Sequence, residues 1–230
     1  NVTSPSVANL GRPGEVKIRL GSTSKTFPEN HDISFVLNGQ GTAPHIALMG
    51  KVGSGKTTTG IQIAKQLVDQ GGIPFLFIDP KGEFVSGSSL SGAIAGLSQA
   101  PTAIEVGQQA IPLDFLPEPG VGSASVTQAA MQFRDSIALC CKSVGNIQQD
   151  QLRMAVEDVI RQQQGRGLDQ IKFRYETRLS QAGRDPDSIT SRLNELTALN
   201  VFAPSLPARD FFSRSWVISL KALGSEELKR

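Results

Sequence analysis

One octapeptide constrains this chain more than any other stretch. Gly50-Lys51-Val52-Gly53-Ser54-Gly55-Lys56-Thr57 fits the pattern G-x-x-x-x-G-K-[ST] in full. Each residue type has a physical purpose there. Glycines at 50, 53 and 55 let the backbone turn tightly and bring N–H groups against phosphate oxygens, where a side chain would block the approach. Lys56 can reach the β and γ phosphates as a point charge, and the Thr57 hydroxyl can ligate Mg²⁺. A helix starting here aims its positive end at the anion. The motif needs a strand before it and a helix after it, and the flanks supply both patterns. Ile46–Met49 is a short apolar run expected as a buried strand, and Thr58 to Gln70 carries Ile61, Ala64, Leu67 and Val68 at helical spacing. The expected ligand is Mg-ATP or Mg-GTP, held by Gly50, Lys51, Val52, Gly53, Ser54, Gly55, Lys56, Thr57 and Thr58. No guanine-reading N-K-x-D occurs.

The 230 residues suit one α/β domain, or one domain with an appendage. A net charge of +2 argues neither for nor against a nucleic-acid partner. There is no apolar run long enough to span a bilayer and no signal-peptide pattern, so a soluble, cytoplasmic segment is expected. Cys140 and Cys141 are adjacent in a helix-like segment, a reduced, packed pair rather than a disulfide framework or metal site. The chain begins at Asn1 without an initiator Met and stops at Lys229-Arg230, which reads as an excised portion of a longer protein.

Residues 1–14 read as a loose lead-in. Glu15–Leu20 and Ile33–Leu37, separated by a turn-rich stretch and followed by Asn38-Gly39, suggest a β-hairpin. Residues 1–40 thus form a lead-in with a hairpin, and 41–230 the main domain. His45 opens the strand of the phosphate loop, more a strand-edge residue than a catalytic one. After the loop helix ends at Gly71-Gly72, Pro74 to Ile78 is expected as a second buried strand. It delivers Asp79, Lys81 and Glu83 to its carboxyl end, where ligands of open parallel sheets sit, although Asp-Pro-Lys-Gly is also ordinary turn chemistry. Val85 to Gly120 reads as irregular, with one apolar run near Ile111 to Leu116. Within it, Leu90-Ser91-Gly92 is similar to the start of the transporter-ATPase signature but lacks its second Gly and its Gln.

From Val126 the apolar period lengthens to that of a helix, with Val126, Ala130, Phe133, Ile137, Cys141 and Val144 on one face. A second helix is expected from Asn146, capped with Gln149, burying Leu152, Val156, Val159 and Ile160 until Gly165. A third spans Leu168 to Ala182, and a fourth starts with Asp185 as N-cap and Pro186 at its first position. These helices make a helical insert over about 124–202. Its arginines (Arg153, Arg161, Arg166, Arg174, Arg178) are expected on solvated faces rather than on a DNA track. Trp216 to Leu220 is a third strand, and Ser225 begins another helix.

The order hairpin, "HIALMGKVGSGKTT", "PFLFIDPKGEF", "AIPLDFLP", a helical stretch ending "LNELTALNVF", and "WVISLKALGSEELK" resembles the HerA/FtsK superfamily of P-loop ATPases from about Leu20 onward. The resemblance implies an α/β, RecA-like P-loop fold with a mainly parallel sheet. It also implies a hexameric ring and ATP hydrolysis coupled to movement or processing of duplex DNA. Relatives of this kind include DptH-like subunits of anti-phage defence systems, which implies a nuclease, or a defence or secretion subunit, as a partner. Carried over, Gly50 to Thr58 match the nucleotide loop, with Lys56 on the phosphates and Thr57 on Mg²⁺. Asp79 matches the acidic residue that ends the second strand and stands with Lys56 as the catalytic pair. The family's Asp-Glu pair has no counterpart at Ser219-Leu220-Lys221 and is expected beyond Arg230. A second similarity is to ParA/MinD-type dimeric switches, which place a lysine where Lys51 stands. A third possibility is a nucleotide-binding scaffold without hydrolysis.

Overall fold

Val16 and Ile18 alternate with Lys17 and Arg19, so a strand through them buries one face and wets the other. The computed structural model describes residues 16–22, 31–37, 45–84, 90–118, 120–141, 143–162 and 165–223. The lead-in over 1–14, the Asn38-Gly39 turn and the helix from Ser225 lie outside them. Strand β1 (Val16–Ser22) pairs antiparallel with β2 (Asp32–Leu37), so the expected hairpin is present, with a bulge between Arg19 and Gly21. Val16 and Ile18 pack with Ile63 of helix α1 (Lys56–Gly71), and Phe35, Leu37, Leu67 and Ile73 close this small core. Gly71 allows the close approach: a Cβ there would sit 2.9 Å from Val16 Cγ2. Gly72, left-handed at φ 59°, ends the helix by donating to Val68 O, as the sequence suggests. These elements and a short helix α2 (Ser91–Ala95) belong to the first of two compact units, Asn1–Phe75 with Leu90–Pro101.

Ile46–Met49 departs from expectation. The run has no strand pairing, residues 45–50 are exposed, and His45 has no strand to open. A single strand has no hydrogen bonds of its own and exists only where a neighbour supplies a ladder. Among the described residues none is supplied to 46–49.

The second unit, Leu76–Ser89 with Thr102–Arg230, is built on a three-stranded parallel sheet. Its outer strands are β3 (Leu76–Asp79) and β4 (Thr102–Glu105). A pair of parallel strands, β5 (Ile111–Asp114) and β6 (Phe202–Pro207), forms a separate sheet. The middle strand of the three is β7 (Trp216–Ser219), fully buried, as a continuous apolar run in a parallel sheet should be. Leu76 and Thr102 lie opposite Trp216, and Asp79 and Glu105 opposite Ser219. Two expectations are corrected here. β3 is not buried throughout, since Leu76 and Ile78 are exposed on one face. The stretch 85–120 is not all irregular, since it contributes α2, β4 and β5. Thr102-Ala-Ile-Glu105 has little strand character alone, and its ladder to β7 makes it a strand.

The four helices α3 (Ser123–Leu139), α4 (Asn146–Gln162), α5 (Leu168–Gln181) and α6 (Ser188–Ala198) share one core. Val126, Ala130 and Ile137 meet Leu152, Val156, Ile171, Tyr175, Ile189 and Leu193 there, and Phe133, Cys141 and Val144 flank them. Cys140 and Cys141 are free thiols, and burial pushes the Cys141 thiol up. Two caps move from their expected places. Gln148, not Gln149, reaches back to a helix-entry N–H, accepting from Gly145 N at 2.7 Å. Asp187, not Asp185, caps α6, accepting from the N–H groups of Ile189 and Thr190. Asp187 wins because it also accepts from the buried Tyr175 hydroxyl at 2.6 Å and from Gln148 at 2.7 Å.

Arg153, Arg161, Arg166, Arg174 and Arg178 of the insert are all engaged in ion pairs or hydrogen bonds, Arg161 from the exposed face expected for it and the other four half-buried. Arg153 and Arg161 pair with Glu157, and Arg178 with Asp158. Arg166 binds Asp114 at 2.6 Å and the carbonyls of Leu116 and Pro117. Arg174 donates to Gln162 and lies over the Phe173 ring. A short helix α7 (Ala208–Phe212) leads into β7, with Phe211 stacked on Trp216 and accepting from its Nε1. Among the described residues no helix is long and apolar enough to cross a membrane.

Candidate nucleotide-binding site

The phosphate loop belongs to the first unit. Gly53 (φ 79°) and Gly55 (φ 85°) are both left-handed, a conformation in which a side chain would be strained. Gly50 is tight for a different reason: a Cβ there would press on Ser54 Oγ, which would have to turn away. Ser54 N–H donates to Lys51 O at 3.2 Å, closing the turn. Lys56 folds back across the loop, and its ammonium donates to the carbonyls of Gly50 and Lys51, each at 2.8 Å. Lys51 and Val52 stand exposed at the rim, and Thr57 and Thr58 are exposed at the start of α1.

The helix start is left open. Gly55 is its N-cap, makes no side-chain cap, and no acidic residue lies in the first turn. The first-turn N–H groups therefore have neither an intrahelical acceptor nor a competing carboxylate. Left-handed glycines, an uncapped helix N-terminus, a lysine held by two loop carbonyls and an exposed hydroxyl at Thr57 form a donor set that fits a phosphate chain with its Mg²⁺.

Asp79 belongs to the second unit, at the end of β3, and is 3% exposed. Both oxygens of its carboxylate are engaged by its own turn. Oδ1 accepts from the N–H of Lys81 (3.2 Å) and Gly82 (2.9 Å), and Oδ2 from that of Phe84 (3.0 Å). The turn brings Phe84 back onto Phe77, ring centroids 5.3 Å apart. Asp79 O accepts from Leu220 N at 2.9 Å, tying the turn to the end of β7.

Two residues of this edge escape a reading of the sequence. Gly82, at φ 70°, lies under the Lys221 stem, where a Cβ would be 2.6 Å from Lys221 Cδ. The fully buried Ser219 stands in register between Asp79 and Glu105, its Oγ accepting from Lys221 N. The glycine after Asp-Pro-Lys was the available signal for the first. Nothing local marks the second.

The family model described as "Helicase HerA, central domain" matches residues 26–200, well over half of the chain. The chain belongs to this family. No curated protein matches it. As a HerA-type domain the chain is a P-loop ATPase with the α/β, RecA-like architecture, its parallel sheets preceded by an antiparallel hairpin and interrupted by helices. Nucleotide and Mg²⁺ binding in general come with that membership, and the loop geometry above suits both.

Proposed function

We propose that this chain is a motor domain that binds and hydrolyses ATP and couples turnover to translocation or processing of duplex DNA, as one subunit of a ring. The observation that carries the reading is the HerA-domain match running across a phosphate loop whose helix start is uncapped. In this reading residues 41–230 are the ATPase core and 1–40 its lead-in and hairpin. Gly50 to Thr58 cradle the phosphates with backbone N–H groups, Lys56 neutralises the β and γ oxygens, and Thr57 holds Mg²⁺. The metal, when bound, draws charge from the phosphates. Asp79 acts chiefly by fixing the turn from Pro80 to Phe84, since three N–H groups take three of the four acceptor positions of its carboxylate. A cytoplasmic DNA motor, working with a nuclease or a defence subunit, is the setting that fits.

The test is Mg-ATP turnover with and without duplex DNA, beside Lys56→Ala. Stimulation by DNA that vanishes in the variant supports the motor; turnover indifferent to every DNA refutes it. One observation favours a second reading, a dimeric switch: the Lys51 side chain is exposed at the loop rim while its carbonyl anchors Lys56. An ATP-dependent dimer that disappears in Lys51→Ala would support that reading against the ring.

A further inference from the structure

A two-stranded ribbon leaves the outer edge of each strand without a partner. In this hairpin one point of the β1 edge is filled by a side chain. Arg19 N–H donates to Gln66 Oε1 at 2.8 Å, and Gln66 Nε2 donates to Arg19 O at 2.9 Å. One amide thus pairs with the strand as a neighbouring strand residue would. The pairing falls at the bulge between Arg19 and Gly21. Arg19 also reaches across to Asp32 of β2 through Nε (3.0 Å) and Nη2 (2.9 Å), so the residue that Gln66 holds touches both strands of the ladder.

Gln66 projects from α1 between Ile63 and Leu67, which pack on Val16 and Ile18. The helix that carries this face begins at Lys56, bound to the loop carbonyls of Gly50 and Lys51. One helix therefore has the phosphate loop at its N-terminus and the hairpin along its side. An anion at that end satisfies the first-turn N–H groups and opposes the helix dipole, favouring the complete, docked helix over a frayed one.

We propose that the hairpin is a nucleotide-responsive lever: phosphate held at the start of α1 tightens β1–β2 on the helix through the Gln66–Arg19 clasp, and its loss loosens them. The lever rests on the nucleotide-binding reading above and gives that site an output. Coupling is reciprocal, so cutting the clasp weakens nucleotide binding by the same factor by which nucleotide tightens the hairpin.

The experiment is amide hydrogen exchange of the full chain with and without saturating Mg-AMP-PNP, together with the affinity for that analogue. In the wild type, exchange over 16–22 and 32–37 slows about tenfold on binding. In Gln66→Ala the analogue still binds, about tenfold more weakly, and the hairpin hardly responds. Gln66→Glu keeps an acceptor for Arg19 N–H and removes the donor to Arg19 O, so its response is intermediate; it carries the test if the alanine variant does not fold. Binding without slower hairpin exchange in the wild type overturns the lever and leaves the nucleotide reading standing. Equal slowing in wild type and both variants overturns the clasp as the route. No binding at all overturns both the lever and the reading beneath it.

Discussion

Replacing Asp79 separates a carboxylate spent on its turn from one spent on chemistry. The group is 3% exposed and accepts three backbone N–H bonds, of which the one from Gly82 is buried and the other two are partly buried. Asp79→Asn keeps the shape but turns one oxygen into a donor, so one charge-assisted bond is lost and two donors face each other, a cost of about 2 kcal/mol. Asp79→Ala strands all three donors. Counting about 2 kcal/mol for the buried donor and about 1 for each of the others gives about 4 kcal/mol. For a chain of this size those costs lower the melting temperature by about 5 and about 10 °C. Differential scanning fluorimetry measures both, beside Mg-ATP turnover below the transition. The expected pattern is graded destabilisation, Ala beyond Asn, with turnover partly retained in Asp79→Asn. An Asn variant that melts with the wild type yet has no turnover would refute the turn-anchoring role and return Asp79 to the reaction centre.

Two more outcomes follow from the same geometry. Burial pushes the Asp187 carboxyl up, but hydrogen bonds from Tyr175, Thr190 N–H, Gln148 and Ile189 N–H outweigh it and leave the group below its ordinary value. A depressed carboxyl stabilises fully above the ordinary carboxylate range and loses that contribution as pH falls through the folded value. Burial and then the Asp187 bond raise Tyr175, whose contribution is present below the ordinary tyrosine range and is lost as pH rises beyond it. Stability against urea is therefore expected to fall at both pH extremes, and Tyr175→Phe to flatten the alkaline limb and shrink the acid one; unchanged limbs would exclude the bond. Gly50→Ala is expected to weaken nucleotide binding at least about tenfold with little change in melting, because the Ser54 hydroxyl must leave its place beneath residue 50; equilibrium titration with a fluorescent ATP analogue checks it.

Elements whose pattern answers to local burial could be read directly from the residues. The hairpin, α1 with its glycine end, and the helices of the insert all show the alternation or helical spacing that their cores later use. The parts that could not be read depend on distant partners. β4 is four residues long and is a strand because β7 bonds to it, whereas Ile46–Met49 has a better strand pattern and no ladder among the described residues. Asp185 and Asp187 are equally good caps by composition, and Tyr175 and Gln148, from two other helices, decide between them. At the candidate site, residue types marked the phosphate loop and the acidic end of β3. They could not show that three N–H groups would occupy the Asp79 carboxylate, or that Gln66 would fill the edge of β1.

The order of strands carries a consequence for biosynthesis. β7, in the middle of its sheet, is made after both of its neighbours and after all four helices of the insert. As the chain leaves the ribosome, β3 and β4 wait without a ladder while α3 to α6 can already condense through contacts close in sequence. The Ile104 side chain of β4, buried in the finished fold, is apolar surface at risk during that interval. Stalled or truncated chains ending before Trp216 would present two unpaired strands and an already folded helical cluster, a form suited to chaperone capture or aggregation.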